Sequence, residues 1–276
     1  MASQPAGSLR VGVVQLTSTD DLAGNLERAR GFVAEAAARG AELVLLPENF
    51  AYLRREGEPI PCAQRLDGEV VSALSAWAKQ LGIWLHGGSL PEQRGDARVH
   101  NTSVVVDPEG QLRAVYRKIH LFDVDLAAAG GGRFRESERI APGDEVVLAE
   151  TPFGGLGLSV CYDLRFPELY RAQVERGARL LAVPAAFAPE TGKDHWEVLL
   201  RARAIENQAF VLAPAQCGRH SATRASYGRS LVVDPWGLVL AQAGDRPGVI
   251  LADCDLAAQE RLRRDLPALS HRRLGR

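Results

Sequence analysis

Short apolar runs at residues 9–16, 42–46, 83–88, 179–183 and 209–215 alternate with stretches where apolar side chains return at helical spacing, as Leu26, Ala29, Val33, Ala36 and Ala37 do before Gly40. Alternation of strand with helix restricts the chain to a layered α/β protein. Further helices are expected over 68–81, stopping at Gly82, and over 167–177 and 194–208. A charged helix is expected after a strand at 248–253. Hairpins are added to this pattern. Strands at 101–106 and 111–117 flank Asp107-Pro108-Glu109-Gly110, where Pro fixes φ and Gly allows a positive one, and two later arms meet at Asp234-Pro235-Trp236-Gly237. Residues 119–143 have little periodicity and contain Ala127-Ala128-Ala129-Gly130-Gly131-Gly132, so a long loop is expected there, of a length often functional in compact domains.

The 276 residues are read as one domain over 9–276, with a flexible segment at 1–8 that lacks the basic and apolar regions of a signal peptide. With 33 basic against 34 acidic residues, nothing draws the chain to nucleic acid or to an anionic membrane, and a small molecule is the expected partner. No run approaches the roughly 18 apolar residues of a membrane span. The cysteines Cys62, Cys161, Cys217 and Cys254 are far apart and form no Cys-x-x-Cys pair, which indicates neither a metal site nor a disulfide framework. A reducing, cytoplasmic setting fits them.

Three junctions carry charge or a thiol where an apolar strand stops. Glu48 follows Leu43-Val44-Leu45-Leu46-Pro47, Lys118 closes the stretch 111–116, and Cys161 lies between Gly-Leu-Gly-Leu-Ser-Val and a helix opened by Pro167. Side chains at the carboxyl ends of neighbouring strands converge on one cleft in open α/β sheets. A thiol facing the first turn of a helix would feel the positive end of its dipole, which favours thiolate. Each residue also has a plain reading: a solvated rim charge for Glu48 or Lys118, a small apolar core residue for Cys161. His220, near Cys217, lacks a third ligand at metal-binding spacing. His195 and Trp196 are read as packing residues.

In this order and in these contexts, Glu48, Lys118 and Cys161 resemble the catalytic triad of the nitrilase superfamily of carbon–nitrogen hydrolases. The resemblance runs from about Leu9 to the C-terminal basic segment. Residues 195–208, 215–220, 224–228 and 233–237 look like the branch that contains deaminated glutathione amidases and their relatives, the ω-amidases. It implies a four-layer α-β-β-α sandwich, a homodimer paired across a helical face, and no metal or organic cofactor. It also implies a second glutamate, Glu136, orienting Lys118, although this chain has the Ala/Gly patch where relatives often have Pro-Gly. Phe187 and Thr191 match the family's substrate-contacting loop.

The chemistry of such a set is amide hydrolysis. Glu48 takes the thiol proton, Cys161 attacks the carbonyl, and Lys118 with the backbone N–H of Tyr162 holds the oxyanion before a thioester is hydrolysed. Arg165 can clamp a substrate carboxylate bidentately, or form a salt bridge to Asp163 or Glu168. Hydrolysis of deaminated glutathione to α-ketoglutarate and cysteinylglycine leads. ω-Amidase action on α-ketoglutaramate comes second, and nitrile or N-carbamoyl hydrolysis third. A papain-like Cys-His hydrolase and a non-catalytic metabolite- or partner-binding protein on the same fold are the readings from other classes.

Overall fold

The computed structural model describes residues 7–55, 58–95 and 97–274. β1 (Ser8–Gln15) leads to α1 (Leu22–Ala38), which begins where the Asp21 carboxylate accepts from the Gly24 amide and ends before Gly40 turns to a φ of 86°. β2 (Leu43–Leu45), α2 (Glu69–Leu81) and β3 (Trp84–His86) repeat the unit, with Gly82 left-handed at the end of α2. β4 (Leu90–Gln93), β5 (Val99–Val106) and β6 (Leu112–Arg117) are antiparallel; Asp107 Oδ1 fastens the β5–β6 turn by accepting from the amides of Glu109 (3.0 Å) and Gln111 (2.8 Å).

A small hairpin of β7 (Asp123–Asp125) and β8 (Arg133–Arg135) follows. The second half holds β9 (Leu148–Thr151), β10 (Gly154–Leu158), α3 (Pro167–Glu175), β11 (Ala178–Ala182), α4 (Pro189–Asn207) and β12 (Phe210–Ala213). Then come β13 (Cys217–Arg219), β14 (Ala225–Tyr227), β15 (Leu231–Val233), β16 (Val239–Gln242), β17 (Gly248–Asp255) and α5 (Leu256–Asp265).

Two large sheets result. The first has the order β17-β1-β2-β3-β5-β4, with β6 also on β5; the second runs β16-β15-β12-β11-β10-β9. The period-2 alternation of strand side chains sorts them into layers. Val14, Val44, Leu46 and Leu85 pack outward on Leu26, Ala29 and Val33 of α1 and Val70 and Leu74 of α2. Val11, Val13, Leu43 and Leu45 face the other way, into a core shared with Leu156, Leu158 and Leu180 of the second sheet and with Tyr170, Trp196 and Leu200 of α3 and α4. This is the four-layer α-β-β-α sandwich. Each large apolar side chain buried in it contributes about 1.5–3 kcal/mol.

Several expectations change. Residues 1–6 of the expected flexible segment lie outside the described residues, and Ser8 already pairs with Asp255. The expected loop at 119–143 contains the β7–β8 hairpin and two short 3-10 turns, Ala127–Ala129 and Glu136–Glu138. α4 begins at Pro189, five residues before the helical pattern does, because its first turn carries no apolar side chain to reveal a period. β4 escapes the pattern because Pro91 lies in it, which its place at the sheet edge tolerates. Among the described residues no helix is long and apolar enough to cross a membrane.

Candidate active site

Glu48, Lys118 and Cys161 do stand just beyond strand ends, but on two sheets rather than one. β2 is parallel to β3, β3 antiparallel to β5, and β5 antiparallel to β6, so β2 and β6 point the same way and deliver Glu48 and Lys118 to one edge of the first sheet. Cys161 follows β10 in the second sheet, its amide donating to the Pro184 carbonyl beyond β11 (2.9 Å). The turns are tight. Asn49 beside Glu48 and Cys161 itself take positive φ values of 54° and 50°, which L residues adopt only when their surroundings hold them there. Gly88 lets the chain after β3 pass beneath Glu48: a Cβ there would stand 2.0 Å from the Pro47 carbonyl oxygen.

One carboxylate organises the set. Glu48 Oε1 accepts from Lys118 Nζ (3.2 Å) and Asn101 Nδ2 (2.9 Å), and Oε2 accepts from the Ala186 amide (2.8 Å). The Cys161 thiol hydrogen-bonds the same carboxylate. Lys118 Nζ also donates to both oxygens of Glu136 (3.0 and 2.9 Å), and Glu136 Oε2 is fixed by the Phe122 amide (2.7 Å). Glu136 therefore stands at Lys118, where the family resemblance places it, although it rides on a 3-10 turn and not on an open loop.

Burial alone would push the Glu48 carboxyl up; the Lys118 charge, joined by hydrogen bonds from Cys161, the Ala186 amide and Lys118, outweighs it and holds Glu48 below its ordinary value. Burial also works against the Lys118 ammonium, yet Glu136, Glu48 and Cys161 keep its pKa well above the ordinary one. For Cys161, burial and then the Glu48 charge push the thiol well up, with Lys118 opposing. The resting set is thus carboxylate, ammonium and neutral thiol. Burial and the Glu48 charge work against the thiolate that a helix dipole was expected to favour. Cys161 opens a 3-10 turn, Cys161–Arg165, and α3 starts only at Pro167, so the thiol does not face the first turn of an α-helix.

The set opens onto a cleft of about 850 Å³, mouth included, whose wall includes Tyr162, Phe187 and Thr191. Thr191 lies in the first turn of α4 and not in a loop. Arg165 is not on that wall. Its guanidinium lies over the rings of Tyr162 (5.8 Å) and Phe187 (5.3 Å), and its hydrogen bond is to His195 Nδ1 (3.3 Å) rather than to Asp163 or Glu168. The arginines that do line the cleft are Arg54, Arg135 and Arg224. Trp196 is buried and donates to the Arg229 carbonyl (2.8 Å), whereas His195 is exposed and does not pack.

Two further residues were not expected at the site. Asn101 bridges Glu48 and Glu136 around Lys118; a lone amide at the start of an apolar strand was the only signal. Asp163 is wholly buried and binds Tyr116 and His120 rather than Arg165. A papain-like arrangement needs an imidazole at the thiol, and here the group at the thiol is Glu48. His220 binds the Ser18 carbonyl (2.8 Å) and Ser226 Oγ (2.9 Å), and among the described residues no His, Cys, Asp and Glu side chains gather to hold a metal ion.

Comparison with known proteins gives a consistent result. The family model described as carbon-nitrogen hydrolase matches residues 10–264. Deaminated glutathione amidase of Bos taurus is 44% identical over 269 residues, covering 95% of this chain and 81% of that protein. The crystal structure of Saccharomyces cerevisiae Nit3, a member of branch 10 of the nitrilase superfamily, superposes with a TM-score of 0.85 at 31% identity, covering 99% of this chain and 100% of that one. A variant of the amidase from Nesterenkonia sp. AN1 superposes with a TM-score of 0.77 at 29% identity, over 98% of this chain and 95% of that one; it shows covalent addition of the acetamide moiety of fluoroacetamide at its active-site cysteine.

Proposed function

The chain belongs to the carbon–nitrogen hydrolase family and acts on amides, and from that premise we propose that it cleaves deaminated glutathione to α-ketoglutarate and cysteinylglycine through a thioester on Cys161. The observation that carries the reaction is the meeting of a carboxylate, an ammonium and a thiol at one buried point, with Glu48 bonded to both partners. The substrate rests on the 44% identity to a protein of that name. Arg54, Arg135 and Arg224 on the cleft wall suit a substrate that carries carboxylates.

Glu48 accepts the Cys161 proton as sulfur attacks the amide carbon, so thiolate forms only as it is consumed. The oxyanion is held by Lys118 and the Tyr162 N–H, donors commonly worth about 3–4 kcal/mol each. Protonated Glu48 then gives its proton to the departing nitrogen, the C–N bond breaks, and the acyl group stays on sulfur. Glu48 next takes a proton from water, which attacks the thioester; the carboxylic acid leaves and the proton returns to sulfur. Glu136 and Asn101 keep Lys118 and Glu48 in place throughout.

The protein works in this proposal as a cytoplasmic homodimer. Val198 and Ile205 on α4 and Trp236, Leu238 and Leu240 around the β15–β16 turn are 66%, 50%, 63%, 57% and 41% exposed, an apolar face suited to a second copy. Free thiols at Cys62, Cys161, Cys217 and Cys254 suit a reducing compartment.

The test gives purified protein deaminated glutathione and α-ketoglutaramate in turn and reads cysteinylglycine and ammonia. The proposal expects the larger kcat/KM for deaminated glutathione. A much larger value for α-ketoglutaramate overturns the substrate and leaves the amidase, while absence of a Cys161-dependent acyl adduct by intact mass overturns the thioester.

A further inference from the structure

Asp163 lies two residues beyond the nucleophile, is 0% exposed, and takes no part in the steps above. Its two oxygens receive four donors. Oδ1 accepts from the His120 amide (3.0 Å) and His120 Nδ1 (2.7 Å), and Oδ2 accepts from Tyr116 Oη (2.7 Å) and the Val160 amide (2.8 Å). Those donors come from both arms of the site. Tyr116 and His120 stand two residues before and two after Lys118, and Val160 immediately precedes Cys161. Tyr116 Oη also accepts from Ile119, the residue after Lys118 (3.3 Å).

The nucleophile turn is braced a second time. The Asp163 amide donates to the Val160 carbonyl (3.1 Å), so side chain and backbone of Asp163 close a ring around Cys161 and its left-handed backbone. The His120 ring lies flat on Phe166, centroids 3.7 Å apart and planes 6° from parallel, which ties the Lys118 arm to the same turn once more. Polar links such as the Ala186 amide to Glu48 also join the two sheets, but most of the packing between them is of apolar side chains, whose contacts are non-directional and set spacing loosely. A buried carboxylate with four directed donors sets it tightly.

We propose that Asp163 is a positioning residue that fixes the spacing of Lys118 and Cys161 by binding both arms at once. This rests on the reading of Cys161 as nucleophile. Displacements of about 1 Å at a reacting centre cost on the order of 100-fold in rate. Asp163 is not on the cleft wall, so its loss acts on kcat and leaves KM nearly unchanged.

The experiment compares the native protein with Asp163→Asn, in which an N–H must face one of the donors, and Tyr116→Phe, which removes one donor and keeps the ring. kcat and KM are measured on whichever amide the native protein hydrolyses, and the pH profile of Cys161 alkylation by iodoacetamide is read by intact mass. The expected result for Asp163→Asn is a kcat about 100-fold lower, KM within about threefold, and a displaced alkylation profile; Tyr116→Phe moves the same way by about tenfold. Should Asp163→Asn fail to fold, Tyr116→Phe carries the test. An alkylation profile and a kcat within about twofold of native, whatever happens to the unfolding midpoint, overturn the proposal. Alkylation needs no substrate. A native protein that releases no cysteinylglycine therefore sinks the substrate assignment alone.

Discussion

Two groups of ion pairs in this molecule look alike in geometry and differ in everything else. Arg10 on β1 meets Asp253 on β17 through two short bonds, Nε to Oδ1 at 2.7 Å and Nη2 to Oδ2 at 2.9 Å, with the side chains 47% and 56% exposed. Lys118 meets Glu48 and Glu136 at 3.2 and 2.9 Å, yet its side chain is 2% exposed. At the surface, water screens the pair and hydrates either partner equally well when the other is removed. At the site burial withholds most of that screening. Each buried charge depends on the others, and a proton that moves from Cys161 to Glu48 is felt in full by Lys118. Distance therefore says little about the weight of an ion pair until burial is known.

The contrast is broken most severely by Lys118→Met. Two buried carboxylates would be left without their cation, so we expect hydrolysis to fall by at least about 10⁴-fold and urea unfolding to report a loss of about 3–5 kcal/mol. Glu48→Gln comes next. It removes the proton acceptor but keeps the Lys118–Glu136 pair, and kcat should drop by about 10³-fold with a smaller stability change than in Lys118→Met, measured by the same two assays.

Acid titration sharpens the comparison. Burial pushes His86 down to about 3 and His220 down to about 4, while the unfolded chain protonates both near the ordinary value. The unfolded state thus binds more protons between those values and roughly pH 6.5, and stability falls as pH falls through that window, by on the order of 3 kcal/mol for His220. Glu48, held below its ordinary value, is still ionised over most of it. Activity on the acid side should therefore end by unfolding rather than by protonation of the base, seen as a circular-dichroism transition at or above the pH where kcat declines. Least of all should come from Arg10→Ala, where neither the urea midpoint nor kcat is expected to move beyond replicate error.

The parts of the site that were legible in the sequence are those that local geometry fixes. Glu48, Lys118 and Cys161 each end an apolar run, and a strand end projects its next side chain whatever the rest of the chain does. What pairs with them depends on tertiary folding and leaves a fainter trace. Asn101 reads as an ordinary strand residue until β5 lies beside β6 and brings its amide to Glu48. Local charge balance suggested Asp163 for Arg165, but the meeting of the two sheets gave Asp163 to Tyr116 and His120. The layers were legible in the alternation of elements, whereas the division of strands between two sheets was not, because each apolar run would serve in either. The early start of α4 was hidden by Gly192, which breaks a helical pattern on paper; in the fold, a Cβ there would stand 2.4 Å from the Tyr227 side chain, so close approach of β14 needs glycine.

The pairing of β1 with β17 has a kinetic corollary. Arg10 and Asp253 on these strands are separated by 243 residues, and the ladder between them runs through eight residue pairs from Ser8–Asp255 to Gln15–Gly248. Contacts so remote along the chain form late, since loop closure must precede them. During synthesis, β1 thus lacks its β17 neighbour until residues 248–255 have left the ribosome, and a strand flank left open for that long is a place where pairing with another chain can start.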